Sequence, residues 1–552
     1  MEGLAEAFEV VGASAEHHLE ASHAAGLALA VTDREEILGA VCRGMADVAS
    51  GTPVRPETRF EIGSISKSFA AVVVLQEAEA GRLDLHASVN AIVPWLGLPE
   101  PFGPITLHHL MTHTAGLQIG TEDAPTGPGA LHRMRTLPPT TPPGERFLYS
   151  NDGWKVVGAC LEEVTGRPTH ELLQERVLEP LGMAASTAAI TDAVRQDLAV
   201  GYAPMHPDRP VHLRHPLVPA NWVVSNTADG SIVSNVIDMS AYARFLLAGG
   251  DVPDGRGGRV LSEAMFAELV EPRVDDGEGG MYGYGLWTEE VDGVRWVAHS
   301  GGMVGYSAFL VTSPDEGVAV VELQNGDGIK HGLVRAALAT IRASLAGAEL
   351  PAVWAPPPAT SIPKAADYVG TYHGDDGREL VVRAEDDGLA ARFGPLAVRL
   401  ERDPLDPDDA PDRFLVPHEA LERFELVFGR DDAGAVVEAF HGSTWFRGER
   451  YAGSEPDPAP EAWIRLMGLY RNDDPWSPVL RILLRKGRLV LQWPSSAGDE
   501  DAEMELVPLD EGWFAAGEIR DPRRIRFEGE GAGGLAVVAE FNGGSWFRSF
   551  ED

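Results

Sequence analysis

From Ser64 to Ala80 the chain reads Ser-Ile-Ser-Lys-Ser-Phe-Ala-Ala-Val-Val-Val-Leu-Gln-Glu-Ala-Glu-Ala, and Gly81 follows. That run is apolar on nearly every side, which in a helix means burial all round, and the glycine is a helix stop. A chain carrying it must wrap other elements around one central helix. Gly63 in front permits a tight turn and close backbone approach. The same helix takes a lysine into the interior. Ser64 and Lys67 are three residues apart, so their side chains share a face and the amine reaches the hydroxyl. A serine hydroxyl is a weak nucleophile at neutral pH without a neighbouring base. Lysine serves as that base when burial and nearby cations lower its pKa. The plainer reading is a buried lysine that is simply hydrogen-bonded, since an unpartnered one is costly.

Spacing alone is a thin signal. The chain has five lysines, Lys67, Lys155, Lys330, Lys364 and Lys486, and two of them close a Ser-x-x-Lys. The second, Ser361-Ile-Pro-Lys364, follows the proline-rich run that begins at Pro351. Its own Pro363 lacks a backbone donor and disfavours helix, so it is set aside.

Charge narrows the partners. The formal net charge is −39 at pH 7, which repels nucleic acid and anionic membranes. No apolar run approaches the ~20 residues of a membrane helix. The acidic start Met-Glu-Gly-Leu-Ala-Glu lacks the basic region of a secretory leader, so a cytoplasmic location is expected. Cys42 and Cys160 are too few for a disulfide framework and sit among apolar neighbours. The expected partner is a small molecule or short peptide, with a homodimer left open.

Residues 1–350 read as one α+β unit. Short apolar strands such as Gly26–Val31 and Ile37–Val41 stand near its start. Helices and loops fill Thr106 to Leu247. Strands return at Val294–Ala298, Ser307–Thr312 and Val318–Leu323, and a helix from Gly332 to Leu345 closes the unit. Strands at both ends with helices between imply an antiparallel sheet flanked by helices, plus a helical subdomain. Residues 351–363 read as a linker. Beyond it the chain repeats: Tyr368-Val-Gly-Thr-Tyr372 is echoed by Leu466-Met-Gly-Leu-Tyr470, Leu415-Val-Pro417 by Leu506-Val-Pro508, and Trp445-Phe-Arg447 by Trp546-Phe-Arg548. Three echoes in one order, each offset by roughly 100 residues, indicate a duplication. The expected copies are small antiparallel barrels at 364–452 and 461–552, separated by the proline-rich residues 453–460 and filled by side chains rather than ligand.

Other groups suited to chemistry lie elsewhere in the first unit. Tyr149-Ser-Asn151 offers a phenol that can relay protons, with a nearby cation favouring phenolate, and an amide that can hold a substrate or Lys67. Tyr470-Arg-Asn472 has the same spacing but belongs to the repeat. His299-Ser-Gly-Gly302 places glycines beside a strand, where an amide can pair with that of Ser64 around an oxyanion. His299 can shuttle protons or hold a carboxylate. His109 and His113 are four residues apart, but the segment lacks the glutamate of His-Glu-x-x-His and a third ligand. No metal or other cofactor is expected.

Ser-x-x-Lys, then Tyr-x-Asn, then His-x-Gly, in this order, resemble the serine β-lactamase-like superfamily of class C β-lactamases, DD-peptidases, D-aminopeptidases, esterases and transacylases. Phe60-Glu-Ile-Gly-Ser-Ile-Ser-Lys-Ser-Phe69, the stretch Ile105–Leu117, Pro143–Asn151 and Pro180-Leu-Gly-Met183 are similar as well. The tail resembles lipocalin-like domains carried by some members. The resemblance implies Ser64 as nucleophile, Lys67 as its base and Tyr149 as the acid/base. Asn151, Ser300, Gly301, Gly302 and Tyr306 would bind substrate, and the Ser64 and Gly302 amides would form the oxyanion hole. His299 stands where class C β-lactamases usually carry a lysine, which leans away from β-lactam turnover. The expected function is a serine hydrolase forming an acyl-enzyme at Ser64 on an ester or a D-amino-acid-containing peptide or amide. The alternatives are a transacylase or peptide cyclase, a β-lactamase, and a non-catalytic ligand-binding homologue.

Overall fold

The apolar run behaves as its composition demands. In this computed structural model, Gly63–Ile65 form a single 3-10 turn and the α-helix begins only at Ser66, two residues later than the apolar pattern suggests. The helix, Ser66–Glu79, is buried from Ser66 to Leu75 and ends where Gly81 turns left-handed with φ 69°. The structure describes residues 2–118, 120, 127–136, 138–253, 258–291, 293–328, 331–405, 410–495, 502–531 and 534–549.

The chain parts into two units, residues 1–203 with 217–355, and residues 204–216 with 356–552. The first is built on a nine-stranded antiparallel sheet. Its strands are β1 (His23–Thr32), β2 (Ile37–Asp47), β3 (Thr52–Pro53), β4 (Val274–Asp275), β5 (Met281–Tyr282), β6 (Trp287–Val291), β7 (Val294–Met303), β8 (Tyr306–Ser313) and β9 (Val318–Asp327), in the order β3-β2-β1-β9-β8-β7-β6-β5-β4. The sheet therefore joins the two ends of the unit at β1 and β9, whose register runs from His23 opposite Asp327 to Thr32 opposite Ala319.

Alternation along β1 explains the layers, since successive side chains point to opposite faces. Leu27, Leu29 and Val31 join Ala7, Val11 and Ala15 of helix α1 (Glu2–Ala21) and Leu333, Leu338 and Ile341 of helix α5 (His331–Leu345) in one core. Ala28 and Ala30 face the other core, with Phe69 and Val72 of helix α2 (Ser66–Glu79) and Phe245 of helix α4 (Val236–Leu247). On that side the ring of Phe69 stacks on Tyr242 with centroids 3.6 Å apart. Helix α1 lay outside the sequence reading. Its apolar residues are mostly alanine, valine and glycine, a weak periodic signal that only packing makes decisive. The helical insert supplies helix α3 (Asn151–Thr165), stopped by Gly166 at φ 68°.

The second unit holds two antiparallel bodies of eight strands each. The first is a sheet running from Leu396–Arg399 round to Arg413–Phe414, whose ends are bridged at Glu401 and Leu415. The second closes fully, with Gly468–Arg471 pairing Gly544–Arg548. Its interior is filled by Tyr470, Leu480, Leu491, Leu506, Phe541 and Trp546. The α+β class with two appended small barrels is thus borne out. Residues 351–364 form no helix or strand, and near their start Trp354 N donates to Ser14 Oγ at 3.0 Å.

Candidate active site

Ser64 sits in the turn before α2 and is the one residue from Glu61 to Leu75 that is not fully buried. Two side chains brace that turn. Ser66 Oγ accepts from Ile232 N at 3.1 Å, and Ser68 Oγ donates to Ile65 O while accepting from the Tyr242 hydroxyl. Gly63 has φ 50°, and a Cβ there would lie 2.5 Å from Gly302 O. A Cβ on Gly301 would fall 1.9 Å from Ile62 O and 3.2 Å from the Ser64 nitrogen. Only glycines let the turn and β7 press together this closely. The β6 register ends at Ala298, whereas β8 pairs with β7 as far as Met303. The Gly63 turn therefore lies along a stretch of β7 that β6 does not cover. Ser300 and Gly302 are exposed there, and His299 and Gly301 are buried.

Lys67 is fully buried, and its Nζ donates to three oxygens: Ser64 Oγ at 2.7 Å, Asn151 Oδ1 at 2.8 Å and the Asp229 carbonyl at 2.8 Å. Asn151 opens helix α3. Ser150 before it is the N-cap, accepting from Gly153 N at 3.0 Å and donating to Gln118 O. Capping thus orients both neighbours of Ser150. Ser64 neighbours the Tyr149 phenol and favours its ionised form. Lys67 Nζ lies 5.0 Å from the centroid of its ring. Part of that ring is open to solvent, but its hydroxyl end is enclosed. Burial raises the phenol above its usual 10 and outweighs the effect of Ser64. The expectation that a nearby cation would favour phenolate is corrected, because desolvation wins.

His299 also differs from expectation. It is fully buried, with Nδ1 against Ser300 O and Nε2 3.0 Å from the Tyr282 hydroxyl. A neutral ring satisfies both, donating from Nδ1 and accepting at Nε2. Burial first, then the Lys67 charge, lowers its pKa to about 3. At neutral pH it offers neither a cation for a carboxylate nor a free nitrogen for proton shuttling. Tyr306 likewise turns inward, its hydroxyl donating to Ala199 O at 2.6 Å, so its ring packs rather than presenting a donor.

The structure thus gathers Ser64, Lys67, Tyr149 and Asn151, sets Ser300, Gly301 and Gly302 alongside, and places His299 and Tyr306 in the walls. Among His108, His109 and His113, ring nitrogens face separate groups. His109 Nδ1 completes the capping box with Thr106, His108 meets the Tyr284 hydroxyl, and His113 lies against Tyr149. Sequence reasoning missed Asp229, whose contribution is a backbone carbonyl and has no side-chain signature. It also missed Tyr282 and Trp287, which reach the site only through the sheet; the Trp287 ring lies 4.3 Å from that of His299.

Residues 12–343 match the family model described as Beta-lactamase. The chain is 27% identical over 371 residues to penicillin-binding protein 4 of Amycolatopsis lactamdurans, covering 64% of this chain and 94% of that protein. It is 27% identical over 426 residues to a D-aminopeptidase of Gluconobacter oxydans, covering 75% of this chain and 71% of the relative. In fold it is similar to the octameric penicillin-binding protein homologue from Pyrococcus abyssi, with TM-score 0.54 and 24% identity over 77% of this chain and 96% of that one.

Proposed function

This chain belongs to the beta-lactamase family and is a serine hydrolase, and on that premise we propose that it cleaves peptide or amide bonds next to a D-amino acid through an ester of Ser64. The observation that carries this reading is the set of three oxygens around Lys67 Nζ. As an ammonium Lys67 donates to all three oxygens; in its deprotonated, reactive form the amine has two N–H groups and one lone pair. The Asn151 and Asp229 oxygens take the two N–H groups, and the lone pair is left aimed at the Ser64 proton.

In acylation Ser64 Oγ bonds to the substrate carbonyl carbon and its proton moves to Lys67 Nζ. The oxyanion faces the backbone amides of Ser64 and Gly302 in the gap left by Gly63 and Gly301. When the C–N bond breaks, the Tyr149 phenol gives its proton to the leaving nitrogen, a role that suits a group held protonated by burial. In deacylation a water bonds to the acyl carbon and passes a proton to the Tyr149 oxygen. Ser64 leaves with the proton held by Lys67, and both groups return to their starting states. Asn151 orients substrate as well as Lys67.

A neutral His299 leaves no positive charge at its position on β7 for a substrate carboxylate. This favours D-aminoacyl amides, which lack that carboxylate, over β-lactams, and agrees with the D-aminopeptidase similarity. The test is paired D- and L-aminoacyl p-nitroanilides, after confirming by peptide mapping that a phosphonylating probe labels Ser64. Faster release from the D-series is expected. Equal or faster release from the L-series, or cleavage of esters alone, contradicts the substrate assignment.

A further inference from the structure

We propose that His113 is a positioning residue that holds Tyr149 in place for proton transfer; this rests on the reading of Tyr149 as the acid above. Three consecutive residues of the Tyr149 loop each meet a different part of this one side chain and backbone. Leu148 N donates to His113 O at 2.7 Å. The Tyr149 ring stacks on the imidazole with centroids 4.1 Å apart and planes 26° apart. Ser150 N donates to His113 Nδ1 at 2.8 Å. The imidazole is further flanked by the rings of Phe147 and Tyr282.

His113 reaches this position with φ 56°, a left-handed conformation that few L-residues other than Asn, Asp and His adopt readily. Two N–H donors approach the imidazole, Ser150 N at 2.8 Å and Trp154 Nε1 at 3.3 Å. A neutral imidazole has a single acceptor nitrogen. The ring therefore accepts from one of the two donors in each tautomer, and Ser150 N makes the shorter contact, at Nδ1. A protonated ring would turn a donor toward Ser150 N–H and add a cation beside Lys67. Burial, with Lys67 adding to it, keeps the ring neutral well below pH 6.5.

Two variants separate the two contacts. His113→Phe keeps a ring and loses the acceptor. His113→Asn tolerates the left-handed backbone and supplies an acceptor oxygen without a stacking ring. Turnover of an aminoacyl p-nitroanilide, whose leaving nitrogen needs a proton, is measured on the full chain, with Ser64→Ala as the blank and a thermal melt to verify folding. His113→Phe is expected to lower kcat about 100-fold with KM changed less than about threefold, the scale for a misplaced catalytic group. His113→Asn is expected to recover about tenfold of that loss. In a Tyr149→Phe background, His113→Phe is expected to cost less than about threefold, because coupled residues are non-additive.

A folded His113→Phe variant with unchanged kcat overturns the proposal. So does an undiminished loss in the Tyr149→Phe background, which would mean that His113 acts elsewhere. Failure of a phosphonylating probe to label wild-type Ser64 would instead remove the reading of Ser64 as nucleophile and Tyr149 as acid on which this rests.

Discussion

The chain writes two of its motifs twice, once in the first unit and once in the second, and the copies have opposite fates. Ser64 and Lys67 enter a buried helix, and the amine meets three oxygens there. Ser361 and Lys364 have the same spacing, but Lys364 is exposed with φ 57° and only precedes a short 3-10 turn. Tyr149 and Asn151 flank a helix cap and converge on Lys67. Tyr470 and Asn472 lie on and just beyond a barrel strand. There the Tyr470 hydroxyl donates to Leu466 O at 2.7 Å and Asn472 Oδ1 accepts from Asp474 N at 2.9 Å. The earlier barrel repeats the tyrosine device, with Tyr372 donating to Tyr368 O, also four residues back. A spacing becomes chemistry only where packing strips water from it and points both groups at one atom.

The sharpest way to break this contrast is to remove the hydroxyls. Ser64→Ala is expected to lower kcat/KM by about 10⁴-fold or more, as for a lost covalent nucleophile, while Ser361→Ala leaves it unchanged. Initial rates on a p-nitrophenyl ester check both, and a comparable loss in the two variants would erase the distinction. Removing the phenols comes next. Tyr149→Phe is expected to cost about 10²- to 10³-fold in kcat, the range for a general acid. Tyr470→Phe should leave kcat alone and lower barrel stability by about 1–2 kcal/mol, because it removes a hydrogen bond and leaves buried partners unmatched. Urea titration followed by tryptophan fluorescence measures the second effect.

Much of this was legible beforehand because it is written in side chains. The order Ser64, Lys67, Tyr149, Asn151, His299 and the paired Trp445 and Trp546 segments are local patterns. So is the apolar run of α2, which required burial whatever surrounded it. What escaped depends on groups with no side-chain identity, or on distance in sequence. The Asp229 carbonyl is a backbone atom. The Tyr282 hydroxyl that fixes His299 arrives on β5, two strands across the sheet from β7, and the metal-like spacing of His109 and His113 gave no hint that one ring caps a helix while the other supports Tyr149. The protonation states of His299 and Tyr149 were misjudged for one reason: desolvation in a dry site holds both groups neutral, and at His299 the neighbouring amine adds to it.

Acid supplies a finer test. His299 in the first unit and His441 in the second are both buried, with pKa values lowered to about 3 and about 4 chiefly by desolvation. Each takes a proton below pH 6.5 when unfolded but not when folded. Stability from each is therefore full above pH 6.5 and is lost as pH falls toward the folded value. The first unit also carries Glu61 and Glu322, both raised to about 8 by burial. They have the opposite sign, favouring the folded state below pH 4.5 and weakening it as pH rises to about 8. Urea midpoints should therefore fall as pH drops from about 6.5 to 5 for the second unit, whereas the first should rise between pH 8 and pH 6.5, where its glutamates titrate and its histidines do not. His441→Gln is expected to flatten the second unit's slope without altering turnover, and an unchanged slope would count against the burial account.

The central claim is that Lys67, held by Asn151 and Asp229, makes one hydroxyl among many reactive. The direct measurement is mass-spectrometric peptide mapping after brief exposure to a fluorophosphonate, comparing wild type with Lys67→Met. A single adduct on Ser64 in wild type, at least about 100-fold slower to form in the variant, is the expected result. An adduct on Ser361 or another serine, or equal labelling of Ser64 without the amine, would contradict it.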